Sequence, residues 1–146
     1  MASPNVRMRQ SSAPRARFWR RAAAYLLDLL LLAVPITAVR AAGPNPILAY
    51  GIDLVLMLAY FTVFEGGRAG QTPGKRLLAI RVLDLAGGAS IGYPRGFIRA
   101  VGKYLSGLAL GLGFLWMLWD GERQTWEDKL AYTVVVPADA YPRDSA

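Results

Sequence analysis

The chain reads as an all-α membrane protein with two transmembrane helices, a third short transmembrane or re-entrant segment, and a small cytoplasmic β element. Three observations predict this class. Of 146 residues, 54% are hydrophobic, which is too apolar for an ordinary soluble domain of this length. These residues are gathered into runs: 22–39 carries one charged side chain, Asp28; 47–64 carries one, Asp53; 104–119 carries none. The cations cluster at the ends of the runs. Arg7, Arg9, Arg15, Arg17, Arg20 and Arg21 precede the first run, only Arg40 lies between the first two, and Arg68 to Lys103 supply seven more.

Residues 1–15, rich in Ser, Pro and Arg, are expected to form a disordered basic arm. A membrane domain then fills 16–136, and 137–146 is read as a flexible tail. The first helix starts between Ala16 and Arg20, with Phe18 and Trp19 at the headgroup level and Pro35 as a kink near its far end. This run is longer than the core of a secretion signal and holds an Asp and a Pro, so it is expected to stay in the mature chain. In the second helix Tyr50, Asp53, Met57 and Tyr60 recur every three or four residues and share one face.

After Glu65 the composition changes. Lys75 to Leu85 reads as a strand with a hairpin return through Ser90 to Tyr93, and Thr133 to Pro137 reads as another. Pairing them requires both on one side of the membrane. The third apolar segment, Tyr104 to Trp119, is short for a span and contains Gly107, Gly111 and Gly113, which favours re-entry over crossing. Gly102 with Ser106, and Gly107 with Gly111, are small pairs at helical spacing suited to close packing. Trp116, Trp119 and Trp126 fit an interfacial belt.

The net charge of +7 follows the membrane rather than a nucleic acid. It places the N-terminus in the cytoplasm, the protein in the cell membrane, and the basic face on anionic lipid headgroups. Cysteine and histidine are absent, which removes thiolate and imidazole chemistry and Cys/His metal sites. Neither a metal, a cofactor nor enzymatic activity is expected. Gly70-Gln-Thr72-Pro-Gly74-Lys75 is one residue short of a phosphate-binding loop and has Arg76 where a hydroxyl would hold magnesium. It reads instead as a turn, with Lys75 and Arg76 on lipid phosphates.

Phe18 to Asp28, Gly70 to Val82 and Gln124 to Val136, in that order, resemble the RDD family of small membrane proteins, named for one arginine and two aspartates. The resemblance covers about residues 16–136. It implies that Arg21 is the family arginine, Asp28 the first aspartate and Asp128 the second, with Asp120 the other assignment for the last. Glu127 and Tyr132 depart from the family pattern, the latter where relatives often carry Gly.

A carboxylate at the depth of Asp28 costs about 2.5–3.5 kcal/mol on insertion scales, so it needs a partner or a function. Arg21 and Asp28 share a helix face but stand about 10 Å apart along the axis, too far for contact. Partners from other segments are expected: Arg99 or Lys103 for Asp28, and Asp120 or Asp128 for Arg21. Asp53, nearer the outer surface, is either solvated or part of the same polar face. The functional expectation is transport of a small ion or solute through an oligomer, with Asp28 binding the cation or proton. An accessory subunit docked on a larger membrane complex is the alternative.

Overall fold

The computed structural model describes residues 14–86 and 89–140. Most of the expected basic arm (1–13) and the end of the expected tail (141–146) lie outside the described residues. The first two helices are as expected: α1 (Phe18–Ala41) has 24 residues and α2 (Pro46–Gly66) has 21, each long and apolar enough to cross a bilayer. Asn45 caps α2 by accepting a hydrogen bond from the Leu48 N–H, and Pro46 occupies the first turn, where its missing N–H is harmless. α1 runs on through Pro35 to Ala41.

The loop motif folds differently from the expected strand. Thr72 and Pro73 open a short helix, α3 (Pro73–Leu77), and the strand β1 begins only at Ile80 and ends at Asp84. The reason is legible afterwards: Thr72 is an N-cap whose hydroxyl accepts from the Lys75 N–H, and proline follows at the first helical position. Arg20 closes the other end of α3 through the carbonyls of Leu78 and Ala79. Residues 90–93 form no return strand. The chain passes directly into α4 (Tyr93–Leu108).

At the end of α4 the chain bends by 110° into α5 (Leu112–Leu115) and a 3-10 turn, Trp116–Leu118. Gly111 makes the bend possible with a φ of +80°, a conformation that L side chains resist. The expected third segment therefore straddles a break. Then come α6 (Trp126–Ala131) and the strand β2 (Thr133–Pro137), which reaches one residue into the stretch expected to be tail.

β1 and β2 pair antiparallel, with Val82 opposite Val135. Their outer edges are occupied: the Val82 N–H bonds to the Gly70 carbonyl, and the Ala16 N–H to that of Val135. Since both strands and the residue Ala16 just before α1 share this sheet, the chain leaves the sheet for the bent pair and comes back to it, as the expected re-entry would require. Ile80, Val82 and Val135 form a core with Ala16, Ala24 and Ile91, while Leu32, Phe61 and Ala100 form a second between α1, α2 and α4.

α4 is inverted relative to a soluble helix. Its buried face is Gly96, Arg99, Ala100, Gly102, Lys103 and Ser106, whereas Phe97, Ile98, Leu105 and Leu108 point outward. Such an arrangement suits a helix with lipid on one side and a charged protein interior on the other. Two glycines let that face come close: a Cβ on Gly96 would lie 2.8 Å from the Thr62 carbonyl of α2, and one on Gly102 would lie 2.7 Å from the Glu127 Cβ of α6. Of the two small pairs, Gly102 with Ser106 packs inward, while Gly107 has open space.

Tyr132, between α6 and β2, has φ +54° and is 71% exposed. A non-glycine residue in this left-handed conformation costs about 1 kcal/mol, and the side chain gains little burial in return. Tyr132→Gly is expected to stabilise the protein by about 0.5–1 kcal/mol. Melting curves in detergent check this, and a lowered midpoint would contradict it.

Candidate functional site: a buried charge cluster at the sheet side of the helices

Three carboxylates and four cations meet where α1, α2, α3, α4 and α6 converge beside the sheet. Glu65, in the last turn of α2, is fully buried. Its Oε1 accepts from Lys75 Nζ at 2.6 Å, and its Oε2 accepts from Arg99 Nε at 2.7 Å and Lys103 Nζ at 2.8 Å. Arg99, also fully buried, turns its other edge to α6 and β2, where Nη1 donates to Asp128 Oδ1 and Thr133 Oγ1. Arg21 completes the chain by donating to Asp128 Oδ2 at 2.7 Å and Thr125 Oγ1 at 3.2 Å. Glu127 stands 3.9 Å from both Arg21 and Lys103.

Asp128 is positioned by its own helix as well. It sits at the third position of α6 and accepts from the Thr125 backbone N–H at 3.0 Å, one half of a capping box. Burial disfavours its charge, but the Arg21 and Arg99 guanidiniums outweigh burial and hold the Asp128 carboxyl well below the usual carboxylate range. It is a carboxylate at any physiological pH.

Asp28 belongs to a separate arrangement. Neither Arg99 nor Lys103 is its partner, contrary to expectation. Its oxygens accept from Tyr60 Oη at 2.8 Å, Thr72 Oγ1 at 2.6 Å and the Gly74 N–H at 2.8 Å, all neutral donors. The first turn of α3 thus lies directly on α1, and Gly74 is essential to the approach because a Cβ there would collide with the Ala24 carbonyl. Gly70 is held by another contact, since its own Cβ would strike the Val82 carbonyl.

Of the remaining expected residues, Asp120 pairs with Lys129 at 2.7 Å and not with Arg21, which selects Asp128. Asp53 pairs with Arg40 at 2.6 Å, near the other end of the α1–α2 hairpin. With Tyr60 on Asp28, this shows that the polar face of α2 does meet α1. Lys75, expected on lipid phosphates, is buried against Glu65. Glu65 itself was missed. A signal existed: it is an acid closing an apolar helix, and Arg95, Arg99 and Lys103 recur every fourth residue to form one basic stripe in need of an inward partner.

The geometry joins Arg21 to Asp128 and gives Asp28 a dedicated cradle, and the sequence profile of the RDD family matches residues 15–132. The chain belongs to the RDD family. Similar proteins include a proline-rich antigen homolog of Mycobacterium tuberculosis (strain CDC 1551 / Oshkosh), 34% identical over 74 residues, covering 51% of this chain and 31% of that protein. The proline-rich antigen of Mycobacterium leprae (strain TN) is 32% identical over 93 residues, 62% of this chain and 37% of the other. This RDD chain therefore spans about a third of the length of the relatives it matches. No solved structure matches it significantly.

Removing one member of a buried charged network leaves the others uncompensated, at a cost of about 3–5 kcal/mol. Glu65→Gln, which strands Lys75, Arg99 and Lys103, is expected to lose that much stability and to fall sharply in membrane accumulation, as read by immunoblot and detergent melting. Wild-type levels of both would contradict the cluster. A second expectation concerns acid. Unfolded, Asp128 takes up its proton near its ordinary 3.8, and folded, only well below that. In that window the unfolded chain binds more protons, so the contribution of Asp128 is fully present above about pH 5 and is lost as pH falls through the folded value. Melting temperatures should be level from about pH 7 to 5 and drop below about pH 4, with a shallower drop in Asp128→Asn.

Proposed function

We propose that this RDD protein is a non-catalytic membrane subunit that works inside a homo-oligomer or a larger complex of the cell membrane, with its β-sheet on the cytoplasmic side. The observation that carries this reading is the fate of the family residues. Arg21, Asp28 and Asp128 are each satisfied by partners within the chain, which fits a role in fixing the fold better than one in carrying a cargo. Two crossing helices and a re-entrant pair are also too few to surround a passage unaided. The cations on the sheet side, against Arg40 on the other, support the orientation through the positive-inside rule.

A second reading, transport of a small cation through an oligomer, draws on one observation. Asp53 Oδ1 is buried with no hydrogen-bond partner among the described residues, and Asp53 lines a cavity of about 610 Å³ between α1 and α2 together with Arg40, Tyr50, Met57 and Tyr104. A buried carboxylate oxygen without a hydrogen-bond partner, in a residue that lines a cavity, is a place where a cation would bind. Purification from native membranes and reconstitution in liposomes separate the two. The subunit reading expects co-purification with itself or one partner at a fixed ratio, no cation or proton flux from the chain alone, and lowered accumulation in Asp28→Asn. Flux that vanishes in Asp53→Asn at unchanged accumulation would overturn it in favour of transport.

A further inference from the structure

A different cavity, of about 290 Å³, opens between α1, α4 and the bend that follows it. Its charged lining comes from Arg21, Lys75, Lys103 and Glu127, three cations and one acid. The two lysine ammoniums each have one hydrogen-bond acceptor among the described residues, Glu65, so each retains N–H donors. Glu127 is 2% exposed, and its Oε2 has no hydrogen-bond partner among the described residues. A buried carboxylate oxygen of that kind, in a residue that lines the cavity, has room for one more donor. The opposite wall is apolar, with Leu110, Phe114 and Leu115, of which Leu110 is almost fully exposed. Arg21 lies three residues inside the start of α1, about 5 Å from the end of the span, which is the depth of lipid headgroups.

We propose that this cavity binds the phosphodiester headgroup of a membrane lipid that carries hydroxyl groups, as a glycerol headgroup does. The phosphate monoanion lies among Arg21, Lys75 and Lys103, a headgroup hydroxyl donates to Glu127 Oε2, and the acyl chains leave along Leu110 and Leu115 into the bilayer. A choline headgroup lacks the donor, because its quaternary ammonium has no N–H. Gly107 keeps the cavity open: it lines the space, and a Cβ added there meets nothing within 4 Å.

The test uses the full chain purified in detergent, with lipid binding read by native mass spectrometry and by the shift in melting temperature. Phosphatidylglycerol is compared with phosphatidylmethanol, which has the phosphodiester without hydroxyls, with phosphatidylcholine, and with soluble glycerophosphoglycerol. The expected order is phosphatidylglycerol first, phosphatidylmethanol several-fold weaker, and phosphatidylcholine and the soluble diester about tenfold weaker or more. Gly107→Leu should fill the cavity and abolish the preference while melting normally without lipid. Glu127→Leu, which leaves no acceptor, should remove the difference between glycerol and methanol headgroups. Equal binding of phosphatidylglycerol and phosphatidylcholine, or a preference surviving in both variants, overturns the site. Soluble diester binding as tightly as the lipid overturns its assignment to a membrane lipid.

Discussion

Everything at the sheet side of this protein is arranged around one guanidinium. Arg99 is fully buried, and a charge removed from water must be surrounded by opposite charge and hydrogen-bond acceptors. Glu65 meets one edge through Nε and Asp128 with Thr133 meet Nη1, while Nη2 has no hydrogen-bond partner among the described residues; these contacts tie α2, α4, α6 and β2 to one another. That placement carries topology with it. For Asp128 to reach Arg99, the chain after α4 has to turn back, and the bend at Gly111 is where it does so. The pairing of β2 with β1 follows from the same return.

The protein satisfies its buried ionisable groups by two distinct means. In the cluster, cations and carboxylates compensate one another, with four of the former against three of the latter. At Asp28, among the described residues, the side-chain oxygens meet only neutral donors: a tyrosine hydroxyl, a threonine hydroxyl and a backbone N–H. The second means is directional. Three neutral donors in fixed positions hold the first turn of α3 on α1, which in turn presents Lys75 to Glu65. The two sites are therefore linked through α3, one locating the helix and the other using its lysine.

Much of this was legible residue by residue. The two spans follow from runs of apolar residues with almost no charge, and the strand pairing from β-branched stretches that both demand one side of the membrane. Arg21 with Asp128 was among the pairs expected, because an interfacial cation and an acid ahead of the last strand lie at the same depth. Other features misled. Thr72 and Pro73 suit a turn as well as a helix start, and the choice for the helix rests on Asp28 below it. Lys75 was given to lipid because a lone lysine beside a membrane ordinarily lies there, and nothing local marks Glu65 as its partner ten residues away.

Composition and periodicity thus determined the solvent this chain lives in, its two apolar spans, its strands and some of the buried charged residues, Arg21, Asp28 and Asp128 among them. Hydropathy is a local quantity, so it could be summed along the chain. Only the tertiary structure decided who partners whom: Asp28 with neutral donors, Glu65 with three cations, Arg99 with two acids. The reason is that an electrostatic partner is chosen by distance and burial in three dimensions. One glycine at a bend or a contact, Gly111 or Gly74, can bring residues together whose separation in sequence gives no hint of it.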